Sequence, residues 1–265
     1  MSYKLRKILS KTLYKNNLRP EEILDLYFIK SGKKFIIQVG GNDGISGDPI
    51  RKYLITPKDY KVIIFEPLNY YYKKIYDLYK NRLDVEVINK FVSEESNIKE
   101  MFYINPEICD EMDGDGPKNG WAHGQGSVNK KFIETQIDLN SFRGARYRNN
   151  IQKYKNNIIS QEVNTTKISS LLIPDYTENI LIIDSQGSEL DVILSIDFKM
   201  NKIDLIFYED ISPDSKNSRT IRKILRQQNF LAFGKLDNVN QVYKKVKINN
   251  FINWFYINIQ RILNL

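Results

Sequence analysis

One cysteine, Cys109, and one histidine, His123, are all that the 265 residues contain of those two types. No intrachain disulfide can form, and a thiolate metal cluster is excluded for want of ligands. Long apolar runs are missing as well: nothing approaches the roughly 20 consecutive apolar residues with which a helix spans a bilayer. The basic N-terminus lacks the hydrophobic core of a signal peptide, so a cytoplasmic location is expected. Acids are scarce at both ends. Residues 1–19 carry six bases and the residues after Asp237 carry four, with no acid in either stretch, while the whole chain nets +8. The body between therefore holds two more acids than bases. That disfavours a long nucleic-acid groove across it, because several phosphates would each want a Lys or Arg. The basic ends leave contact with a membrane surface open.

At 42% hydrophobic residues the chain can bury one sizeable core, and a single domain with insertions is expected. Its pattern is organised around Phe35-Ile36-Ile37-Gln38-Val39-Gly40-Gly41-Asn42-Asp43-Gly44, followed by Val62-Ile63-Ile64-Phe65-Glu66-Pro67. An apolar run of strand length stops on glycines, and the next apolar run stops on an acid, as at a nucleotide pocket on the carboxyl edge of a parallel sheet. Gly40 permits a sharp turn, Gly44 a close approach of ligand to backbone, and Glu66 could accept both hydroxyl protons of a ribose. The spacing is not G-x-G-x-x-G, which disfavours a dinucleotide; S-adenosylmethionine is the better ligand.

The chain resembles the FkbM-type methyltransferases, a branch of the class I S-adenosylmethionine-dependent enzymes, in three segments between about Phe35 and Asp210. They are Gln38 to Gly44, then Phe65-Glu66-Pro67, and Thr165 to Leu172 leading into Ile182-Ile183-Asp184-Ser185-Gln186-Gly187-Ser188-Glu189-Leu190-Asp191. The resemblance implies a Rossmann-like α/β fold with a seven-stranded, mostly parallel sheet, helices on both faces and an insertion between strands three and four. It implies cofactor contacts from Gln38, Gly40, Gly41, Asn42, Asp43, Gly44, Glu66 and Pro67, and from Asn89 beside the adenine. Gln38 departs from the acid that many class I enzymes carry there. The acceptors implied are hydroxyls of natural products and saccharides.

Along the chain, Leu5, Ile8, Leu9 and Leu13 give a short basic amphipathic helix, and Pro20-Glu21-Glu22 opens a second helix. These form an N-terminal helical segment, 1–30. The methyltransferase domain follows over 31–248 and an apolar C-terminal helix over 249–265, through which homo-oligomerisation is one option. Tyr72, Ile75, Tyr76 and Tyr79 form the expected core stripe of the helix after strand two. The insertion, about 100–165, exceeds what one crossover helix requires and is the expected place of substrate recognition. Its acids from Glu107 to Gly116 fail as a calcium loop, because the closing glutamate position is Ala122. Gly120 to Ser127 reads as a mobile lid bearing Trp121, His123, Gln125 and Ser127. Arg143 and Arg146 belong to a basic patch able to grip a phosphate or carboxylate. Ser188 and Asp191 have capping-box spacing.

A hydroxyl nucleophile needs a base. Asp184, at a strand tip with no evident structural partner, and His123 are the candidates, with Glu209 beside the acceptor. No metal motif is present, although a divalent ion between Asp184 and Glu209 stays open. The reading is O-methylation of a sugar or glycan. Its rivals are an RNA ribose methyltransferase, for which matching lysines are not evident, and a non-catalytic cofactor-binding or assembly domain.

Overall fold

In the computed structural model, strand β1 (Lys34–Val39) sends Phe35, Ile37 and Val39 to one face and Ile36 and Gln38 to the other, all buried. Residues 18–55, 59–113, 121–140, 145–210, 215–233 and 240–245 are described; the expected helices at 3–15 and 249–265 lie outside them. β1 pairs in parallel with β2 (Tyr60–Phe65) and β8 (Glu178–Ile183), with Val39 opposite both Phe65 and Ile183. β3 (Val85–Ile88) and β9 (Leu205–Glu209) extend the ladder, placing Ile88 opposite Phe65 and Tyr208 opposite Ile183. The next residue of each strand therefore emerges on one edge, in the order Asn89, Glu66, Gly40, Asp184, Glu209. β10 (Phe230–Ala232) and β11 (Asn240–Lys245) complete the sheet antiparallel. Its order is β10-β11-β9-β8-β1-β2-β3, so the order in which strands are added reverses between β1 and β8, where open α/β sheets bind ligands. This is the seven-stranded, mostly parallel class I layout.

Helices cover both faces because both are apolar. On one side, α1 (Pro20–Ile29), α2 (Arg51–Leu54) and α3 (Asn69–Tyr79) pack with Ile36, Val62 and Ile64. The start of α1 is set by Pro20 at its first position and by Glu22, whose Oε2 accepts the Arg19 N–H at 2.7 Å. On the other side, α7 (Glu189–Leu194) and α8 (Lys216–Gln227) pack with Ile37, Ile183 and Ile206. The stripe of α3 differs in phase from expectation: Tyr71, Ile75 and Tyr79 are buried, while Tyr76 is 47% exposed. With tyrosines at 70, 71, 72 and 76 the sequence pattern does not select the inward face; contact with the sheet does.

The insertion contains a second, four-stranded sheet, ordered β4-β7-β5-β6. Its strands are β4 (Phe91–Val92), β5 (Ile98–Ile104), β6 (Gly126–Ser127) and β7 (Ile158–Thr166), accompanied by α4 (Pro106–Asp113), α5 (Lys130–Asn140) and α6 (Ala145–Asn156). The sequence suggests only the end of β5; β7 escapes notice because just Val163 and Thr165 of its nine residues are buried. The first acids of the expected acidic loop are helical, in α4. Cys109 is fully buried with Ile104, Ile133 and Ile137, a packing residue. Asp191 pairs with Lys99 of β5 at 3.1 Å, and the Ser188 side chain makes no cap bond. The pair thus ties the second sheet to α7 in place of the expected capping box. Among the described residues no helix is long and apolar enough to cross a membrane.

Candidate functional site

The loop after β1 is shaped by close packing. Gly40 has φ +85°, and a Cβ there would sit 1.7 Å from the Asp184 carbonyl oxygen; one on Gly41 would meet Ile64 and Ile75 at 2.6 Å. Gly44, at φ +68°, packs on Ile75 and Leu78, so its lack of a side chain serves the helix and not a ligand. Asp43 also turns inward on the loop. Its Oδ1 accepts the N–H groups of Ile45 and Ser46 at 2.8 and 2.7 Å, and its Oδ2 the Ser46 hydroxyl. Burial opposes its charge, but these bonds win and hold its carboxyl below the usual range.

Above the strand tips lies an open cleft lined by the ends of β1, β2 and β8 and by residues of the insertion. Its polarity is graded. At one end Gln38, Asn42 and Asp48 line it, and Gln38 Oε1, Asn42 Oδ1 and Asp48 Oδ2 are buried acceptors without a partner. Buried acceptors are normally satisfied, so these suit a ligand that brings N–H donors, such as an ammonium group. Glu66 stands midway, 5% exposed. Its Oε2 accepts the Asn42 N–H and its Oε1 the Leu68 N–H, each at 2.9 Å. Both oxygens are thus engaged by backbone, and the Gly41 N–H acts on the same carboxyl. At the far end Leu68, Phe91, Val92 and Met101 present an apolar surface suited to a flat heterocycle.

Burial pushes the Glu66 carboxyl up to about 7, helped by the Asp184 charge and opposed by the backbone N–H bonds. Such an acid binds more protons folded than unfolded between its ordinary 4.5 and its raised value, so its contribution to stability is lost as pH rises across that interval. Glu66→Gln is expected to flatten the fall in melting temperature between about pH 5 and 7. Calorimetric scans of both proteins check this; parallel curves would contradict it.

At the β8 edge, Asp184 and Gln186 line the cleft. Gln186 Nε2 donates to Asp184 Oδ1 at 2.9 Å and to Glu209 Oε2 at 3.1 Å, supplying the partner that the sequence did not reveal. Glu189 is half-buried, accepting the Gly187 N–H at 3.0 Å and the Ser185 hydroxyl at 3.3 Å; desolvation raises it to about 7. Among the described residues no three His, Cys, Asp or Glu side chains are grouped to hold a metal ion.

The expected lid reaches the cleft through His123, Gly124 and Gly126. His123 Nδ1 lies 3.4 Å from the Tyr71 hydroxyl and Nε2 3.3 Å from Asp110 Oδ1. Its ring nitrogens thus face protein partners, and Tyr71 lines the cleft beside it. Burial keeps the Tyr71 hydroxyl well above the usual phenol range, a hydrogen-bond donor at physiological pH. Trp121, Gln125 and Ser127 do not line the cleft: Trp121 packs edge-on against Tyr154, and Ser127 Oγ accepts the Asn129 N–H at 3.3 Å. Asn89 spends its amide on the carbonyls of Glu66 and Pro67, both at 3.0 Å. It braces the β2 tip, while Pro67 itself lines the cleft. Arg143, and the side chain of Arg146, lie outside the described residues. In the same region Lys153 pairs with Glu111 and Lys155 with Asp138, both at 2.7 Å. Sequence reasoning missed Asp48, Tyr71, Lys90, Phe91, Met101 and Gln186; only Gln186 lay inside a recognised motif.

Comparison with known proteins adds a family. The model of the Methyltransferase FkbM domain matches residues 38–232. No curated protein matches the chain. Solved structures that align with it include the methyltransferase FkbM from Methylobacillus flagellatus KT, at 11% identity and TM-score 0.42, covering 81% of this chain and 43% of that one. The chain thus spans less than half the length of that protein. A precorrin-6y C5,15-methyltransferase from Geobacter metallireducens GS-15 aligns at 10% identity and TM-score 0.41, covering 85% and 87% of the two chains. A SAM dependent methyltransferase from Aquifex aeolicus aligns at 9% identity and TM-score 0.38, covering 86% and 89%.

Proposed function

The chain belongs to the FkbM methyltransferase domain family, and from that premise we propose that it transfers a methyl group from S-adenosylmethionine to a hydroxyl of a sugar or glycan. The observation that carries the reading is the graded cleft. Its unpaired acceptors on Gln38, Asn42 and Asp48 suit the ammonium of the cofactor's amino-acid end. Glu66 suits the ribose hydroxyls, and Leu68, Phe91 and Met101 the adenine. When bound, this cofactor supplies an electrophilic methyl group. The chain must then align an acceptor oxygen and remove its proton. Asp184, at the cleft wall, is placed to take that proton. His123 and Tyr71 close the opposite wall and exclude water.

Calorimetric titration with S-adenosylmethionine tests the first half. Binding is expected, and at 100 times Kd the cofactor should stabilise the fold by about 2.7 kcal/mol. Gln38→Met keeps volume but removes one acceptor of a charged donor, an interaction of about 1.5–3 kcal/mol, and should weaken binding at least about tenfold. Absence of heat would favour an assembly role instead. Transfer of labelled methyl onto a panel of sugars, glycans and RNA tests the acceptor; labelling of RNA alone would replace the glycan reading.

A further inference from the structure

Strands β8 and β9 run side by side, so Asp184 and Glu209 leave neighbouring tips about 4.8 Å apart. One amide nitrogen, Gln186 Nε2, donates to a carboxyl oxygen of each. The two carboxyls are thus held around a single donor, and like charges sharing one site favour keeping a proton on one of them. The bend that aims the amide is built for the purpose: Gln186 adopts φ +49° and Gly187 φ +94°, with the Phe132 ring packed 3.2 Å from where a Gly187 Cβ would stand. Left-handed backbone at a non-glycine residue costs about 1–3 kcal/mol and persists where surroundings impose it.

Among the described residues, two further acids act on the pair. Glu189 of α7 acts on Glu209, and Glu66 at the β2 tip acts on Asp184. Among the described residues Lys90 is the one lysine or arginine that lines the cleft, with His123 as its other basic side chain. Lys90 follows β3, three strands from Asp184, roughly 14 Å across the sheet. Two carboxyls held this close repel when both are ionised, and a retained proton relieves that repulsion. Burial, reinforced by the Asp184 charge, pushes Glu209 up to about 8.

We propose that Asp184 and Glu209 form a proton-sharing carboxyl pair clamped by Gln186, in which Asp184 takes the acceptor's proton and Glu209 and Gln186 are positioning residues. The assignment rests on the reading that a hydroxyl is methylated beside Asp184. As the acceptor oxygen bonds to the methyl carbon and the sulfonium C–S bond breaks, the electron pair returns to sulfur and the hydroxyl proton passes to Asp184. Below about pH 8 the Glu209 proton is donated to Asp184 and tempers its basicity; above it, that proton is gone and Asp184 accepts more readily.

Infrared titration of the full chain without ligand tests the pair independently of turnover. The wild-type protein should lose a protonated-carboxyl band near pH 8, after those of Glu66 and Glu189 near pH 7. Glu209→Gln should abolish that loss, and Asp184→Asn should move it to lower pH by removing the like charge. Gln186→Met should move it to higher pH, because the amide donates to the ionised form. A loss near pH 8 that persists in Glu209→Gln, or that keeps its pH in Asp184→Asn, overturns the pair; should one variant not fold, the other decides. The role is tested by the pH profile of methyl transfer from S-adenosylmethionine to the acceptor found in the panel. A break near pH 8 that vanishes in Glu209→Gln supports it, and an unchanged break overturns it. If no acceptor is methylated while the band behaves as expected, the hydroxyl reading fails and the pair stands.

Discussion

Gly40→Ala is expected to leave little or no folded protein. The added Cβ would lie 1.7 Å from the Asp184 carbonyl oxygen, where real Cβ contacts essentially never fall under 3.0 Å. Neither side can retreat. Gly40 N–H donates to the Phe65 carbonyl at 3.0 Å and Asp184 N–H to that of Val39 at 2.9 Å, so the three central strands are locked at that point. The positive φ adds its own strain. Together these should cost about 4 kcal/mol or more, a large share of the 5–15 kcal/mol by which a domain is stable. Gly47→Ala is the control, since Gly47 has φ +70° but nothing within 4 Å of its Cβ position; only the strain, about 1 kcal/mol, should remain. Urea unfolding of the two variants separates collision from strain. A folded Gly40→Ala within about 1 kcal/mol of wild type would mean that the strand tips are not in contact as described.

The second large effect falls on chemistry. Asp184→Asn preserves shape and the bond from Gln186 but cannot take up a proton as a carboxylate does. Methyl transfer should fall about 10²–10⁴-fold while S-adenosylmethionine binds as before, because the unpaired acceptors and Glu66 are untouched. Turnover measured at saturating cofactor, beside calorimetry on the same preparation, distinguishes the two steps. Unimpaired transfer by a variant that binds normally would remove Asp184 from the mechanism. A matching loss of binding would instead place its importance in building the cofactor cleft.

Both expectations concern residues legible from sequence, but for different reasons. Gly40 stood out because an apolar run ended on it, and the collision that makes it indispensable is with Asp184, 144 positions away. Asp184 stood out as a strand-tip acid without a helix to cap. Its partner Gln186 sat two residues on, unremarked, because only a left-handed turn directs that amide backward. Asp48 illustrates the opposite case. It lies in a loop of glycines and a proline with no pattern to mark it, yet Oδ1 caps the N–H groups of Ile50 and Arg51 at 2.8 and 3.2 Å and Oδ2 waits unpaired. Asn89 and Asp43 were read as ligand contacts by their place in the family layout. Each instead satisfies backbone near it, a choice made by short-range geometry.

Residue order alone determined the sheet of this protein. Apolar runs of strand length, ended by glycine or acid and separated by helix-length segments, can bury both faces only as parallel strands, and that brings their tips to one edge. The tertiary structure alone decided which face α3 turned inward, that the insertion built a second sheet, and which polar atoms on the edge found partners. Those outcomes depend on distances between residues far apart in the chain, where a hydrogen bond forms or fails within a few tenths of an ångström.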